Sequence, residues 1–164
     1  ANYWLRPGNT SASTNYLSFL EDTLSKLEGK RVGLVRMDSG FFAKEILDYL
    51  YAKYPLTIIS NGFTEVQYKK LRSSDIEHYF SHIVLSESAK ALKPDKQIFE
   101  YALKLNNALP SEAIMIGDSY EADIKGAQNA MIDQVYFPLH PIDEQQRPEC
   151  TYMINSLEEI KLIL

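Results

Sequence analysis

The chain has little cysteine and little histidine. Its only cysteine, Cys150, excludes a disulfide within the chain and suits a reducing compartment. The three histidines, His78, His82 and His140, do not have the spacing of a metal-binding motif, so we expect surface or packing roles for them. The sequence therefore predicts neither a disulfide framework nor a histidine-based metal site.

Basic tracts and long apolar runs are also missing. The 164 residues carry 17 Lys and Arg against 22 Asp and Glu, a formal net charge of −5. An acidic chain without a basic tract is a poor candidate for binding nucleic acid, which depends on neutralising phosphates. No apolar run is long enough for a transmembrane helix, and no signal peptide is recognisable. We therefore expect a cytoplasmic protein whose partner is neither nucleic acid nor a membrane.

Short apolar runs alternate with helical patterns along the chain. The predicted strands are 31–37, 56–60, 82–85, 113–116, 134–137 and 152–154. The predicted helices are 13–28, 43–53, 64–73, 95–106, 121–130 and 156–163. This alternation is typical of an α/β protein, so we expect a three-layer α/β/α, Rossmann-like fold with a mostly parallel sheet of about five to six strands.

Two of the predicted helices have a clear apolar face. In the helix 43–53 the residues on that face are Ile46, Leu47, Leu50 and Tyr51. In the helix 95–106 they are Ile98, Phe99, Ala102 and Leu105. Because helical spacing brings such residues to one side, we expect them to face the core.

Polar residues lie at the ends of predicted strands or the starts of predicted helices. Ser60, Asn61 and Gly62 end the second strand, where a hydroxyl and neighbouring backbone N–H groups can hold a phosphate oxygen. Lys93 lies just before a helix, where its ammonium can act as a point charge on phosphate or a developing oxyanion. Each also has a structural interpretation: a serine cap with an Asn-Gly turn, and a solvated lysine before a helix.

A third group is the most specific. The apolar run 113–116 ends in Gly117-Asp118, and Asp123 follows five residues later. Both carboxylates can approach one cation, and carboxylate oxygens are the ligands that Mg²⁺ prefers. The structural alternative is that the two aspartates cap and charge the start of a helix.

Together these groups resemble the motifs of the haloacid dehalogenase (HAD) superfamily over residues 55–137. The run 57–62 is similar to that family's second motif, Lys93-Pro94 to its third, and the segment from Gly117-Asp118-Ser119 to Asp123 to its fourth. The amino-acid sequences of 60–67 and 133–137 are most similar to those of the nucleotidase-like branch.

The resemblance implies a Mg²⁺-dependent phosphohydrolase acting on a small phosphorylated substrate such as a nucleotide. It implies that Asp118 and Asp123 hold the metal, and that Ser60, Asn61 and Lys93 hold the phosphate. The family's mechanism requires a nucleophilic aspartate in a first motif of the form Asp-x-Asp. This chain contains no Asp-x-Asp, and the cap segment expected between the first and second motifs is missing too.

The first third of the chain resembles another family. The runs 5–10 and 35–41, the latter including Asp38, look like part of an insertion-sequence DDE transposase. We therefore predict a chimera in which residues 1–50 are transposase-like and 51–164 are the HAD-like core, folded as one compact domain. The remaining acidic segments of a transposase have no counterpart, so its two-metal site cannot be completed.

Asp38 is the candidate for the missing nucleophile and for a further metal ligand. If the predicted strand 31–37 occupies the central position of the sheet, Asp38 would lie opposite Asp118. The residue two positions on is Gly40, so the usual general acid is absent. The alternative for Asp38 is a turn or cap residue before Ser39-Gly40.

Three functions follow from these observations. The first is a HAD-type phosphohydrolase that is impaired by the missing Asp-x-Asp and cap. The second is an inactive remnant that at most binds phosphate or Mg²⁺. The third is a transposase fragment, against which the net charge of −5 and the absent carboxylates argue.

Overall fold

The computed structural model describes residues 32–35 and 44–164 of the chain. The strands are β1 Val32–Val35, β2 Leu56–Ser60, β3 Phe80–Leu85, β4 Ala113–Gly117, β5 Asp133–Tyr136 and β6 Tyr152–Met153. The α-helices are α1 Lys44–Tyr51, α2 Thr64–Ser73, α3 Ser86–Ala89, α4 Lys96–Leu105, α5 Lys125–Asn129 and α6 Ile160–Ile163. The predicted helix 13–28 lies outside the described residues, and so do Asp38 and Gly40.

The six strands form one sheet in the order β3-β2-β1-β4-β5-β6. Every neighbouring pair is parallel, as expected for strands joined by helical crossovers. β1 occupies a central position, because Val35 pairs with Ile58 of β2 on one side and with Ile116 of β4 on the other. The predicted Rossmann-like fold with a parallel sheet is therefore confirmed.

Helices cover both faces of the sheet, and two apolar cores result. Along β2, Ile58 belongs to the core beneath α1, whereas its neighbour Ile59 belongs to the core beneath α4. This follows from the alternation of side chains in a strand. Because both faces are covered, all five residues of β2 are buried, as are all five of β4.

For two residues the prediction that they face the core is wrong. Tyr51 is 53% exposed and Leu105 is 41% exposed. Tyr51 is the last residue of α1, and its exposed ring packs perpendicular to the ring of the buried Tyr79. In α4 the buried stripe runs through Phe99, Ala102 and Leu103, which are three and four residues apart, so Leu105 falls on its flank.

Two predicted helices are less regular than expected. The helix predicted at 121–130 begins with a π-helical turn, Tyr120–Ile124, and only Lys125–Asn129 is α-helical. The one predicted at 156–163 begins with a 3₁₀ turn, Leu157–Glu159, before α6. Within the described residues, no helix is both long and apolar enough to cross a membrane.

Candidate active site at the carboxyl edge of the sheet

The ends of β2 and β4 flank the end of β1. Ser60 is the last residue of β2, and Asp118 follows directly after β4. Because parallel strands all end at the same edge, Ser60 and Asp118 belong to the same edge and come from the two strands that neighbour β1. Both residues are almost buried, at 7% exposure for Ser60 and 8% for Asp118. This edge is where ligands bind in open α/β sheets.

Lys93 reaches into the same edge and connects its two sides. Its ammonium Nζ donates a hydrogen bond to the carbonyl oxygen of Ile59, at 2.8 Å, and forms an ion pair with Oδ1 of Asp123, at 2.6 Å. The two side chains are 3% and 0% exposed, so the pair is buried. A solvated lysine at this position, the structural alternative, is therefore wrong. The ammonium therefore links the end of β2 to the turn after β4, and these are the two strands that neighbour β1.

Asn61 joins the segment after β2 to the segment before α4. Its Nδ2 donates to the carbonyl oxygen of Lys93 at 3.0 Å, and the N–H of Lys93 donates to its Oδ1 at 2.8 Å. The Lys93-Pro94 peptide bond is cis. Beside it, the N–H of Gly62 donates to Oγ of Ser60 at 3.1 Å, so the serine makes a local turn contact and does not cap α2.

Asp123 is held by the turn that follows β4. Its Oδ2 accepts a hydrogen bond from the N–H of Ser119 at 3.0 Å, while Oγ of Ser119 caps the turn by accepting from Ala122 at 3.2 Å. The capping role considered for the aspartates therefore belongs to Ser119. A Cβ at Gly117 would lie 2.5 Å from Cβ of Asp123, closer than side-chain carbons approach. Glycine is required there by the packing of Asp123.

Tyr136 extends the polar edge and was not singled out from the sequence. It is the last residue of β5, the strand beside β4, and only 8% of it is exposed. Burial raises the pKa of its hydroxyl, and the negative charge of Asp118 raises that pKa further. Its position at a strand's carboxyl end was the available signal, but the tyrosine also fits an ordinary apolar strand pattern.

The donor set of this edge fits a hard cation such as Mg²⁺. Asp118 offers carboxylate oxygens at the strand end, and Mg²⁺ is usually held by one or two carboxylates together with water and substrate phosphate. Both oxygens of Asp123 already accept hydrogen bonds from Lys93 and Ser119. Among residues 32–35 and 44–164 no three acidic, histidine or cysteine side chains converge as a metal cage. Asp38, the predicted third carboxylate, lies outside these residues.

The carboxyl edge of the parallel sheet thus brings together carboxylates, a buried lysine and a hydroxyl. A model of the family "Haloacid dehalogenase-like hydrolase" matches residues 20–137. The chain therefore belongs to the haloacid dehalogenase-like hydrolases. The match includes residues 20–50, whose resemblance to a transposase remains a prediction from the sequence.

The similar proteins include enzymes that act on small phosphate esters. The pyrimidine 5′-nucleotidase YjjG of Escherichia coli is 32% identical over 123 residues, which are 74% of this chain and 55% of YjjG. The glyceraldehyde 3-phosphate phosphatase of Pyrococcus furiosus is 32% identical over 114 residues, 68% of this chain and 48% of that enzyme.

A solved structure matches nearly the whole chain. The HAD-hydrolase YfnB of Bacillus subtilis, bound to magnesium, superposes with a TM-score of 0.65 at 25% identity, covering 96% of this chain and 84% of that one. By contrast, this chain spans about half the length of the curated relatives that it matches.

Proposed function

We propose that the chain is a Mg²⁺-dependent phosphohydrolase of the HAD type that acts on small phosphorylated substrates. The observation that carries the proposal is the position of Lys93. Its ammonium contacts Ile59 at the end of β2 and Asp123 after β4, the two strands that neighbour β1. A buried cation above a central strand, with Ser60 and Asp118 on either side, is suited to an anionic phosphoryl group.

Asp38 is assigned as the nucleophile, because it is the first carboxylate after β1 in the sequence. In the proposed reaction its carboxylate oxygen attacks phosphorus, the bond from phosphorus to the ester oxygen breaks, and an aspartyl phosphate forms. Water then hydrolyses that acyl phosphate and releases inorganic phosphate. Lys93 and the hydroxyl of Ser60 stabilise the charge on the transferring group.

The leaving group receives no proton from the protein in this scheme. The residue two positions after Asp38 is Gly40, which has no side chain to donate one. The leaving oxygen must therefore depart as an anion or take its proton from water. General acid help is typically worth about 10²–10⁴-fold in rate, so we propose a slow enzyme.

Asp118 is the proposed direct ligand of Mg²⁺, with Asp38 as the second. When bound, the ion would neutralise phosphate oxygens and orient them. We assign Asp123 a supporting role, because its two oxygens accept hydrogen bonds from Lys93 and from Ser119. It thereby holds both the ammonium and the turn that carries Asp118.

The substrate is proposed to be a phosphate monoester, with nucleoside monophosphates as the first candidates. The nucleotidase YjjG is among the similar proteins, and the glyceraldehyde 3-phosphate phosphatase shows that triose phosphates belong in the same trial. The chain covers only about half of either enzyme, so their substrate preferences enter as candidates alone.

The test is hydrolysis of p-nitrophenyl phosphate, a nucleoside monophosphate panel and glyceraldehyde 3-phosphate, with Mg²⁺ and with EDTA. We expect Mg²⁺-dependent release of phosphate that Asp38→Ala and Asp118→Ala both abolish. The matched control is Glu100→Gln, which removes an exposed charge paired with Lys96 on α4 and should leave the rate unchanged. Turnover that survives both aspartate substitutions would refute the proposed site.

Binding of Mg²⁺ and phosphate without turnover would favour the inactive remnant, the second function that the sequence predicts. The missing Asp-x-Asp is the observation behind that alternative. Calorimetric titration with inorganic phosphate in the presence of Mg²⁺ separates it from the active enzyme, since only binding would then be detected.

A further inference from the structure

Asn61 contacts Lys93 on both sides of its peptide backbone. The asparagine donates from Nδ2 to the Lys93 carbonyl oxygen at 3.0 Å and accepts from the Lys93 N–H at 2.8 Å. Two residues earlier, the carbonyl oxygen of Ile59 accepts from the Lys93 ammonium at 2.8 Å. Asn61 therefore binds the lysine at its backbone, and Ile59 binds it at the tip of its side chain.

This double contact addresses a physical problem of the site. Lysine has a flexible four-carbon stem, and Lys93 lies in the segment between α3 and α4, outside the sheet. Contacts with the ammonium alone would not fix the position of the Lys93 backbone relative to β2. A side-chain amide has a donor and an acceptor in one plane, which match the carbonyl and the N–H of one residue.

We propose that the side chain of Asn61 positions Lys93 and is not itself a ligand of the phosphate. The proposal rests on the proposed function in one respect: the purpose of the positioning is to keep the ammonium at the phosphate site. It departs from the sequence-based assignment of Asn61 as phosphate-binding, because both functional ends of its amide contact the Lys93 backbone.

The ammonium hydrogens of Lys93 report directly on this role. In the wild-type chain a buried, hydrogen-bonded ammonium should exchange its hydrogens slowly enough to be seen in ¹H–¹⁵N spectra. In Asn61→Ala we expect this exchange to become about tenfold faster, the factor that corresponds to roughly one net hydrogen bond. An unchanged Lys93 signal in Asn61→Ala would overturn the proposal.

Asn106→Ala is the matched control. The amide of Asn106 also makes hydrogen bonds in two directions, with Thr57 at 2.9 and 3.1 Å and with the Ala102 carbonyl at 2.8 Å. Thr57 lies near the start of β2, toward the opposite edge of the sheet from Lys93. We expect a comparable loss of stability and no change in the Lys93 signal. Equal effects of both variants on Lys93 would indicate general loosening and overturn the proposal.

A phosphate titration separates this inference from the proposed function. With inorganic phosphate and Mg²⁺ as the probe, Asn61→Ala should weaken binding about tenfold while it also perturbs Lys93. Weaker binding with an unchanged Lys93 signal would make Asn61 a direct ligand and overturn the positioning role. A perturbed Lys93 signal in a chain whose wild type binds no phosphate would support the positioning role and contradict the proposed function.

A second variant covers the case in which Asn61→Ala does not fold. Asn61→Asp keeps an acceptor for the Lys93 N–H and removes the donor to the Lys93 carbonyl. We expect ammonium exchange in this variant to be faster than in the wild type. If the Lys93 signal of Asn61→Asp is identical to that of the wild type, the proposal is overturned, as it would be by an unchanged signal in Asn61→Ala.

Discussion

Two ion pairs of similar geometry differ in the environment of their charges. The Lys93–Asp123 pair spans 2.6 Å and its side chains are 3% and 0% exposed. The Lys125–Glu121 pair spans 2.7 Å, but its side chains are 47% and 74% exposed. A charge that is buried without its partner pays the full cost of leaving water, whereas an exposed one is solvated and screened. The two members of the buried pair therefore depend on each other.

Lys93→Met should destabilise the fold far more than Lys125→Met. We expect the buried substitution to lower the free energy of unfolding by about 3–5 kcal/mol, because it removes the cation that faces the buried carboxylate of Asp123. The exposed substitution should cost less than about 1 kcal/mol. Urea unfolding of both variants at pH 7, with wild-type protein alongside, measures the difference.

The double variant Lys93→Met with Asp123→Leu separates charge from packing. Removing both charges should restore much of the stability lost in Lys93→Met, because buried pairs are often no better than apolar residues of similar size. Equal losses of unfolding free energy in Lys93→Met and Lys125→Met would contradict the importance assigned to burial of the Lys93–Asp123 pair.

At the level of single residues, the sequence could identify much of the site but not its internal contacts. Ser60, Lys93 and Asp118 were found because each lies at a strand end or helix start with a distinctive neighbour. The carbonyl of Ile59 could not be found, since every residue carries a backbone carbonyl and nothing in the sequence marks one as an acceptor. The pairing of Asn61 with Lys93 was missed because it joins segments 32 residues apart.

The close packing of α5 against α4 depends on a glycine. A Cβ added at Gly126 would lie 2.5 Å from the ring of Phe99 and 3.1 Å from Cα of Pro94. The helix is thus pressed against the segment that carries the lysine of the site. Both neighbours are constrained, since Phe99 is fully buried and the atom of Pro94 belongs to the backbone.

Gly126→Ala should destabilise the protein although alanine favours helix. The gain in helix propensity is outweighed by overpacking, so we expect a net loss of about 1–2 kcal/mol in the free energy of unfolding. Asn129→Ala, at an exposed position of the same helix, is the control and should stay within about 0.5 kcal/mol of wild type. A Gly126→Ala variant as stable as wild type would show that α4 can move aside at little cost.

At the level of elements, periodicity predicted most bounds well and failed at the π-helical turn. β2 and α2 have the bounds expected from their patterns, because a short, mostly apolar run and a polar segment after an Asn-Gly turn each carry a local signal. The turn Tyr120–Ile124 does not follow the predicted α-helical pattern. In it the N–H of Ile124 donates to the carbonyl oxygen of Ser119, five residues back, at 3.3 Å. That widening accompanies the placement of Asp123 against Lys93, a tertiary contact that residue spacing does not encode.

At the level of the whole molecule, the sheet order decides what can be at the centre of the site. β1, the strand that precedes Asp38 in the sequence, lies between β2, which ends in Ser60, and β4, which Asp118 follows. The parallel alternation predicted such a sheet, whereas the central position of the strand 31–37 entered only as a condition for the role of Asp38. The transposase-like origin of residues 1–50 stays a prediction, since the family match begins at residue 20.

A site with a nucleophile but no general acid should discriminate between substrates by leaving group. p-Nitrophenolate departs without a proton, whereas the alkoxide of a nucleoside monophosphate needs one. We therefore expect the wild-type chain to hydrolyse p-nitrophenyl phosphate much faster than nucleoside monophosphates. Gly40→Asp would supply an acid at the family's position and should raise nucleotide hydrolysis by about 10²–10⁴-fold, with a far smaller effect on the aryl ester.

Ser39→Asp is the control for this substitution, because it adds the same charge one residue nearer Asp38 and outside the Asp-x-Asp spacing. Steady-state kcat values for both esters in wild type, Gly40→Asp and Ser39→Asp give the comparison. An equal gain for the two esters would point to a change in phosphate binding, and an equal gain in both variants would point to charge alone. Only a gain confined to Gly40→Asp and to the poor leaving group supports Asp38 as the nucleophile of an otherwise assembled site.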